Sequence, residues 1–183
     1  MSKLETNTID TVSGTTNLTI GSTNTSTVTF ESGAVTGHMY PAFEAYLSAT
    51  QNTSHSTNTI IQFNTEVIDT DNAYDTSTYK FTPQVSGNYF IYSNLTTGSS
   101  SASQQELLRT EIWLNGSMYR RVQIDPRGES RAENVSASAQ AILNLNGSTD
   151  YVQINGLSQV GGGTPGFLGG EKYCYFGAYR IGA

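Results

Sequence analysis

Few residues of this chain have the types and spacing that do chemistry. Two histidines, His38 and His55, are its whole imidazole supply. Both stand in Ser-, Thr- and Gly-rich stretches, with no Cys or second His at a metal-binding spacing. A hydrolytic triad needs a base beside a nucleophile, and nothing here selects one. Cys174 lies among aromatics in "KYCYFGAY" with no His nearby in sequence, which predicts a buried structural thiol. A single cysteine also excludes an intrachain disulfide. The string "GGGTPG", residues 161–166, has the form G-x-G-x-x-G. Pro165 and the following "GFLGG" cannot open the helix whose amides would hold a phosphate, so the stretch reads as a flexible loop. "DTDNAYD" offers Asp69, Asp71 and Asp75 as oxygen ligands for calcium, without the central Gly and terminal Glu of the helix–loop–helix calcium pattern. Capping of a turn competes for the same carboxylates. The expectation is a protein that is not an enzyme and carries no cofactor.

The charges point the same way. Formal net charge is −6, which disfavours a general polyanion-binding surface. Five of the nine basic residues fall in one stretch (Arg109, Arg120, Arg121, Arg127, Arg131), interleaved with Glu106, Glu111, Asp125, Glu129 and Glu133. That patch is nearly neutral and reads as a solvated face, so no nucleic-acid partner is expected. The opening "MSKLETNT" lacks an apolar signal core, and no run approaches the roughly 20 apolar residues of a membrane span. Synthesis in a cytoplasm without membrane insertion follows as an expectation.

The elements that position these residues are strands. Charged residues are 13% of the 183, and Thr, Ser, Asn and Gly take the place of the helix formers. A body of this length buries roughly 70% of the surface its unfolded chain exposes, so it needs no covalent staples. Residues 1–37 hold short alternating runs around Leu18–Ile20 and Val28–Phe30 with too little apolar mass for a private core. They are expected to form an extended N-terminal anchoring or trimerisation arm. Residues 38–183 form the head, with strand patterns at 42–49, 60–68, 78–85, 88–96, 108–114, 117–124, 134–145, 150–157 and 172–181. In "VSASAQAILNL", Val135, Ala137, Ala139, Ala141, Leu143 and Leu145 share one face, mostly of small side chains. In 172–181, Tyr175, Gly177 and Tyr179 lie on one face and Cys174, Phe176 and Ala178 on the other, which predicts a central strand. Many short antiparallel strands without helical periodicity give an all-β sandwich or jelly roll.

One spacing is more specific. Phe63 is followed after five residues by Asp69, after four more by Tyr74 and after six more by Phe81; five later comes Gly87, then Tyr89. This resembles the signature of the globular head of complement component one-q, a relative of the tumour-necrosis-factor jelly rolls. The pattern's two closing aromatics are replaced here by Ile91 and Ser93. "PAFEAYL" (41–47), "IWLNG" (112–116), "AILNLNGSTDYVQI" (141–154) and "YFGAYRIG" (175–182) are similar to further pieces of that family in its order. The resemblance implies a homotrimer of jelly rolls with about ten strands, non-enzymatic, binding partners through exposed loops and faces. Phe81, Tyr89, Tyr175, Phe176 and Tyr179 are then expected in the core or the trimer interface. Arg127, Glu129, Arg131, Thr164 and Phe167, in the loops 125–133 and 160–170, are the expected ligand contacts.

The first forty residues show no collagen period; they look like the β segments that precede the heads of bacteriophage fibres and other virion proteins. Together with the absence of a signal core, this favours a virion surface protein, assembled in a host cytoplasm. Its arm would attach to another virion protein, and its head would act as a tail-fibre or spike tip on a host surface glycan or protein. The alternative is a capsid decoration protein, favoured by the shortness of the arm. A secreted lectin-like module is a third reading.

Overall fold

The computed structural model of the chain describes residues 41–100, 105–126 and 132–182. The described residues form two antiparallel sheets and no helix. The strands are Ala42–Tyr46 (β1), Gln51–Asn52 (β2), Thr59–Ile60 (β3), Thr65–Asp69 (β4), Tyr74–Asp75 (β5), Lys80–Phe81 (β6), Gly87–Ser99 (β7), Gln105–Leu114 (β8), Ser117–Ile124 (β9), Val135–Leu145 (β10), Val152–Val160 (β11), Pro165–Phe167 (β12) and Tyr175–Gly182 (β13). The seven-stranded sheet runs β2-β12-β7-β13-β1-β4, with β10 on the other edge of β7. The six-stranded sheet runs β5-β6-β11-β8-β9, with β3 also on β11.

Alternation decides which face goes inward. On β10, Ala137, Ala139, Ala141, Leu143 and Leu145 are buried, and the residues between them are exposed. On β7, Tyr89, Ile91 and Leu95 point into the sandwich, and β13 contributes Phe176 and Ala178. As the two-faced pattern predicts, β13 is central, flanked by β7 and β1.

The residues of the specific spacing build this core. Phe43 stacks on Phe81 and Tyr74 at centroid distances of 4.4 and 4.8 Å, and Phe176 meets it edge-on at 4.8 Å. The Tyr74 hydroxyl donates to the Phe63 carbonyl at 2.9 Å, and burial keeps this phenol protonated by raising its pKa. Asp69 accepts the backbone N–H groups of Ala73 and Tyr74 at 3.1 and 2.9 Å. Gly87 has φ +150°, and a Cβ there would overlap the Gly182 carbonyl. Each of these residues therefore specifies the fold.

Two of the strand expectations change shape. The run 78–85 contracts to Lys80–Phe81, because Tyr79 turns at φ 58° and Pro83 has no N–H to continue the ladder. The connection 82–86 then carries the chain from the six-stranded to the seven-stranded sheet. The run 60–68 divides into β3 and β4, which belong to different sheets.

Candidate functional site

The outer face of the seven-stranded sheet follows from the registers. One cross-strand row reads Ile142, Phe90, Tyr179, Ala42; the next reads Gln140, Tyr92, Gly177, Glu44, Ile68. A third reads Ser138, Asn94, Tyr175, Tyr46, Thr65. Tyr179 lies 5.5 Å from Phe90 and 6.5 Å from Tyr92 between ring centroids, and Tyr175 lies 6.4 Å from Tyr92. Ile142 is 57% exposed, Ile181 49% and Tyr179 41%. Phe90 between them is half-buried, so the row is a partly exposed apolar group on this face.

Tyr92 is the fixed point of that face. Gly177, its register partner on β13, has no side chain, and a Cβ there would overlap the Tyr92 ring. The ring crosses this gap and donates its hydroxyl to Glu44 Oε2 on β1 at 2.6 Å. Burial, and then the hydrogen bond to Glu44, raise the Tyr92 pKa, so the phenol remains a donor. Beside it opens a wide concavity of about 690 Å³ lined by Glu44, Tyr92, Tyr175 and the segment Gly170–Lys172.

The outer face of the six-stranded sheet is built differently. Glu111 on β8 points outward, yet its side chain is fully buried. Arg121 Nε donates to Oε1 at 2.6 Å, while Asn58 Nδ2 and Trp113 Nε1 each donate to Oε2 at 2.8 Å. Three donors engage both carboxylate oxygens, and the side chain has no surface open to water. This is a structural seal, and sequence spacing gave no sign of it.

The described flanks of the expected ligand loops bond to the end of β7 and the start of β8. Ser100 and Thr164 exchange two hydrogen bonds, N–H to carbonyl at 3.1 Å and N–H to Oγ at 3.0 Å. The Gln105 N–H donates to the Ala132 carbonyl at 2.9 Å. Thr164 is exposed and lines a cleft of about 180 Å³ with Thr50, Asn52, Ser99 and Ser100. Phe167 requires a correction: it is 0% exposed. Residues 165–167 pair with both β7 and β2, which turns the ring inward against Gly156 instead of leaving it on a loop. Arg127, Glu129 and Arg131 lie outside the described residues, as does the whole expected arm, residues 1–37.

Phe81, Tyr89 and Phe176 lie wholly in the single-chain core, Tyr175 is half-buried, and Tyr179 reaches solvent. Asp69, Asp71 and Asp75 do not converge as a calcium site. Asp69 is committed to backbone N–H groups, and Asp75 to Ser77 and Thr78. No group of three or more His, Cys, Asp or Glu among the described residues is placed to hold a metal. Cys174 is buried, exchanges hydrogen bonds with the Thr96 backbone, and has its thiol pushed up to about 11 by burial.

Two interlocked antiparallel sheets with a central aromatic core define a jelly-roll β-sandwich of the complement-head and tumour-necrosis-factor type. Residues 42–165 match the C1q domain, and the chain belongs to that family. Its fold is similar to the globular domain of zebrafish complement 1qA protein, with TM-score 0.50 and 20% identity over 77% of this chain and 96% of that one. It is also similar to the Eiger TNF of S. frugiperda, with TM-score 0.57 and 10% identity over 76% of this chain and 91% of that one. No curated protein matches the chain in sequence. C1q-like domains are generally non-enzymatic binding modules and often trimeric.

Proposed function

We propose that this C1q domain is a non-enzymatic recognition head that assembles as a homotrimer through the outer face of its seven-stranded sheet. The observation that carries the proposal is the cross-strand row in which exposed Ile142 and Tyr179 flank half-buried Phe90, with exposed Ile181 beside it, an apolar group that association would bury. Assembly would place three copies of each binding surface together, so that weak single contacts gain avidity wherever the target spacing permits simultaneous engagement. Sedimentation or light scattering of the purified chain is expected to give three times the chain mass; a monomer at micromolar concentration overturns the assembly.

The setting we propose is the surface of a virion, with the head recognising a host glycan or protein and residues 1–37 attaching to another virion protein. The support is the alternating Ser/Thr/Asn-rich composition of that stretch. Virions that lack the protein are expected to lose adsorption to their host. Particles that adsorb normally without it, but fail under heat or osmotic stress, would reject recognition and make it a capsid decoration protein.

A further inference from the structure

We propose that the outer face of the six-stranded sheet, around Glu111, binds a sugar that carries a carboxylate. The inference names the ligand class of the recognition head proposed above and rests on that reading. Assembly through the seven-stranded sheet would leave this face in water. Three cross-strand rows define it: Leu157, Arg109, Gln123; then Asn155, Glu111, Arg121; then Gln153, Trp113, Met118. Period two puts Arg109, Asn155, Arg121 and Trp113 on the same side as Glu111, which they surround. Strand rise and spacing set Arg109 and Trp113 about 13 Å apart and Asn155 and Arg121 about 10 Å apart, an area that matches one sugar ring with its substituents.

The donors and the charge fit a carboxylate. Arg109 Nε donates to Gln123 Oε1 at 2.8 Å, and Arg121 Nε to Glu111 Oε1 at 2.6 Å. The terminal nitrogens of both guanidiniums have no partner among the described residues, and such planar forks match a carboxylate. Two cations around one buried carboxylate leave the ring of residues a charge of +1. The next carboxylate along β8, Glu106, is held by Gln159 Nε2 at 2.8 Å. On a chain of net charge −6, so small an excess suits one anionic group and not a polyanion. Asn155 is the independent observation. It is 8% exposed, and its Oδ1 is buried without a donor. Asn is depleted in strands and an unsatisfied carbonyl costs stability, so packing does not explain this residue on β11. The terminal torsion of an Asn side chain is broad, which lets the amide turn its oxygen to a ligand hydroxyl. Trp113 ties its indole N–H to Glu111 Oε2 at 2.8 Å, which fixes the half-buried ring for contact with the apolar face of a sugar. A rigid ring bearing a carboxylate and hydroxyls meets the arginines and Asn155 together; a simple carboxylate ion meets only the arginines.

Trp113 is the chain's one tryptophan, so its fluorescence and its indole N–H resonance report on this site alone. Full-length protein titrated with methyl β-glucuronide is expected to shift both signals with a Kd of about 1 mM, weakening with added salt. Arg109→Gln, which gives up only the bond to Gln123, is expected to weaken binding about tenfold. Asn155→Leu is expected to weaken it about tenfold while the urea midpoint holds or rises, because the unsatisfied carbonyl is gone. Silence of Trp113 with the glucuronide, or unaltered affinity in either variant, overturns the site. Equal binding of methyl β-glucoside overturns the carboxylate, and equal binding of acetate overturns the sugar. Tighter binding of acetyl-Gly-Asp-Gly-amide than of the glucuronide makes the ligand a protein and overturns the proposal. Virion adsorption decides recognition separately. A head needed for adsorption that ignores the glucuronide loses only this inference, and a head that binds the glucuronide yet is dispensable for adsorption keeps the site and rejects the recognition reading.

Discussion

The two outer faces of this sandwich solve opposite problems. On the six-stranded sheet a carboxylate, normally the most hydrated of groups, is sealed: Glu111 is inaccessible while Arg121, Asn58 and Trp113 satisfy it. On the seven-stranded sheet Tyr179 and Ile142, which gain most from burial, stay 41% and 57% exposed. A polar group closed off by its own chain stabilises the monomer. An apolar row left open gains only when something else covers it. Under the proposed assembly, the contrast places stability on one face and interaction on the other, and substitutions should separate the two.

The largest effect is expected at Glu111. Removing one partner of a buried ion pair costs about 3–5 kcal/mol when the other is left stranded. The Arg121 side chain is 37% exposed and can rehydrate, so Glu111→Ala is expected to cost about 2–3 kcal/mol. Urea unfolding should show a lower midpoint, with the oligomeric state of the folded protein unchanged at equal concentration. Dissociation without loss of stability would break the comparison on this side.

Tyr179→Asp is the reciprocal test. It places a charge in the middle of the exposed row, where association would have to desolvate it. Trimer affinity is expected to fall at least a hundredfold, about 3 kcal/mol. The unfolding midpoint of the isolated chain should move by less than about 0.5 kcal/mol, because Tyr179 lies outside the core. Sedimentation at several concentrations, paired with urea unfolding, measures both quantities.

What was legible in the sequence followed what is local. The period-two pattern of β10 placed every small residue of its inward face, and the spacing from Phe63 to Tyr89 identified the aromatic core. The two faces of β13 were separable because Phe176 and Tyr179 differ by an odd number of positions. What escaped depends on chain segments far apart. The seal on Glu111 needs Asn58, 53 residues earlier, and the Tyr92 anchor needs Glu44, 48 residues earlier. Phe167 was misplaced because the surrounding glycines and Pro165 punctuate like a loop. The short strand there is held by partners at 51–52 and 97–99 that no local pattern reveals.

The smallest effect refines the sealed side. Asp75, on β5, opens a turn in which the hydroxyl and amide of Ser77, then the hydroxyl of Thr78, hold its carboxyl at about 2, below the ordinary 3.8. The same turn presents the Thr78 carbonyl to Gln153 Nε2 at 2.8 Å, on the outer face of β11, in the row next to that of Glu111. A carboxyl whose folded pKa is depressed stabilises the fold above its unfolded value and loses that contribution as pH falls through the folded one. The window here runs from about pH 4 down to about pH 2. The group is fully solvent-exposed, so screening keeps the effect small. Asp75→Ala should be less stable than the unaltered chain at pH 6, and the gap should narrow steadily as pH is lowered to 2.5. Hydrogen exchange is expected to show the Gln153 side of the six-stranded sheet loosening in acid before the Phe90–Tyr179 row. A gap that stays constant with pH would mean that the turn owes nothing to the charge of Asp75, and that Glu111 and its three donors seal the face alone.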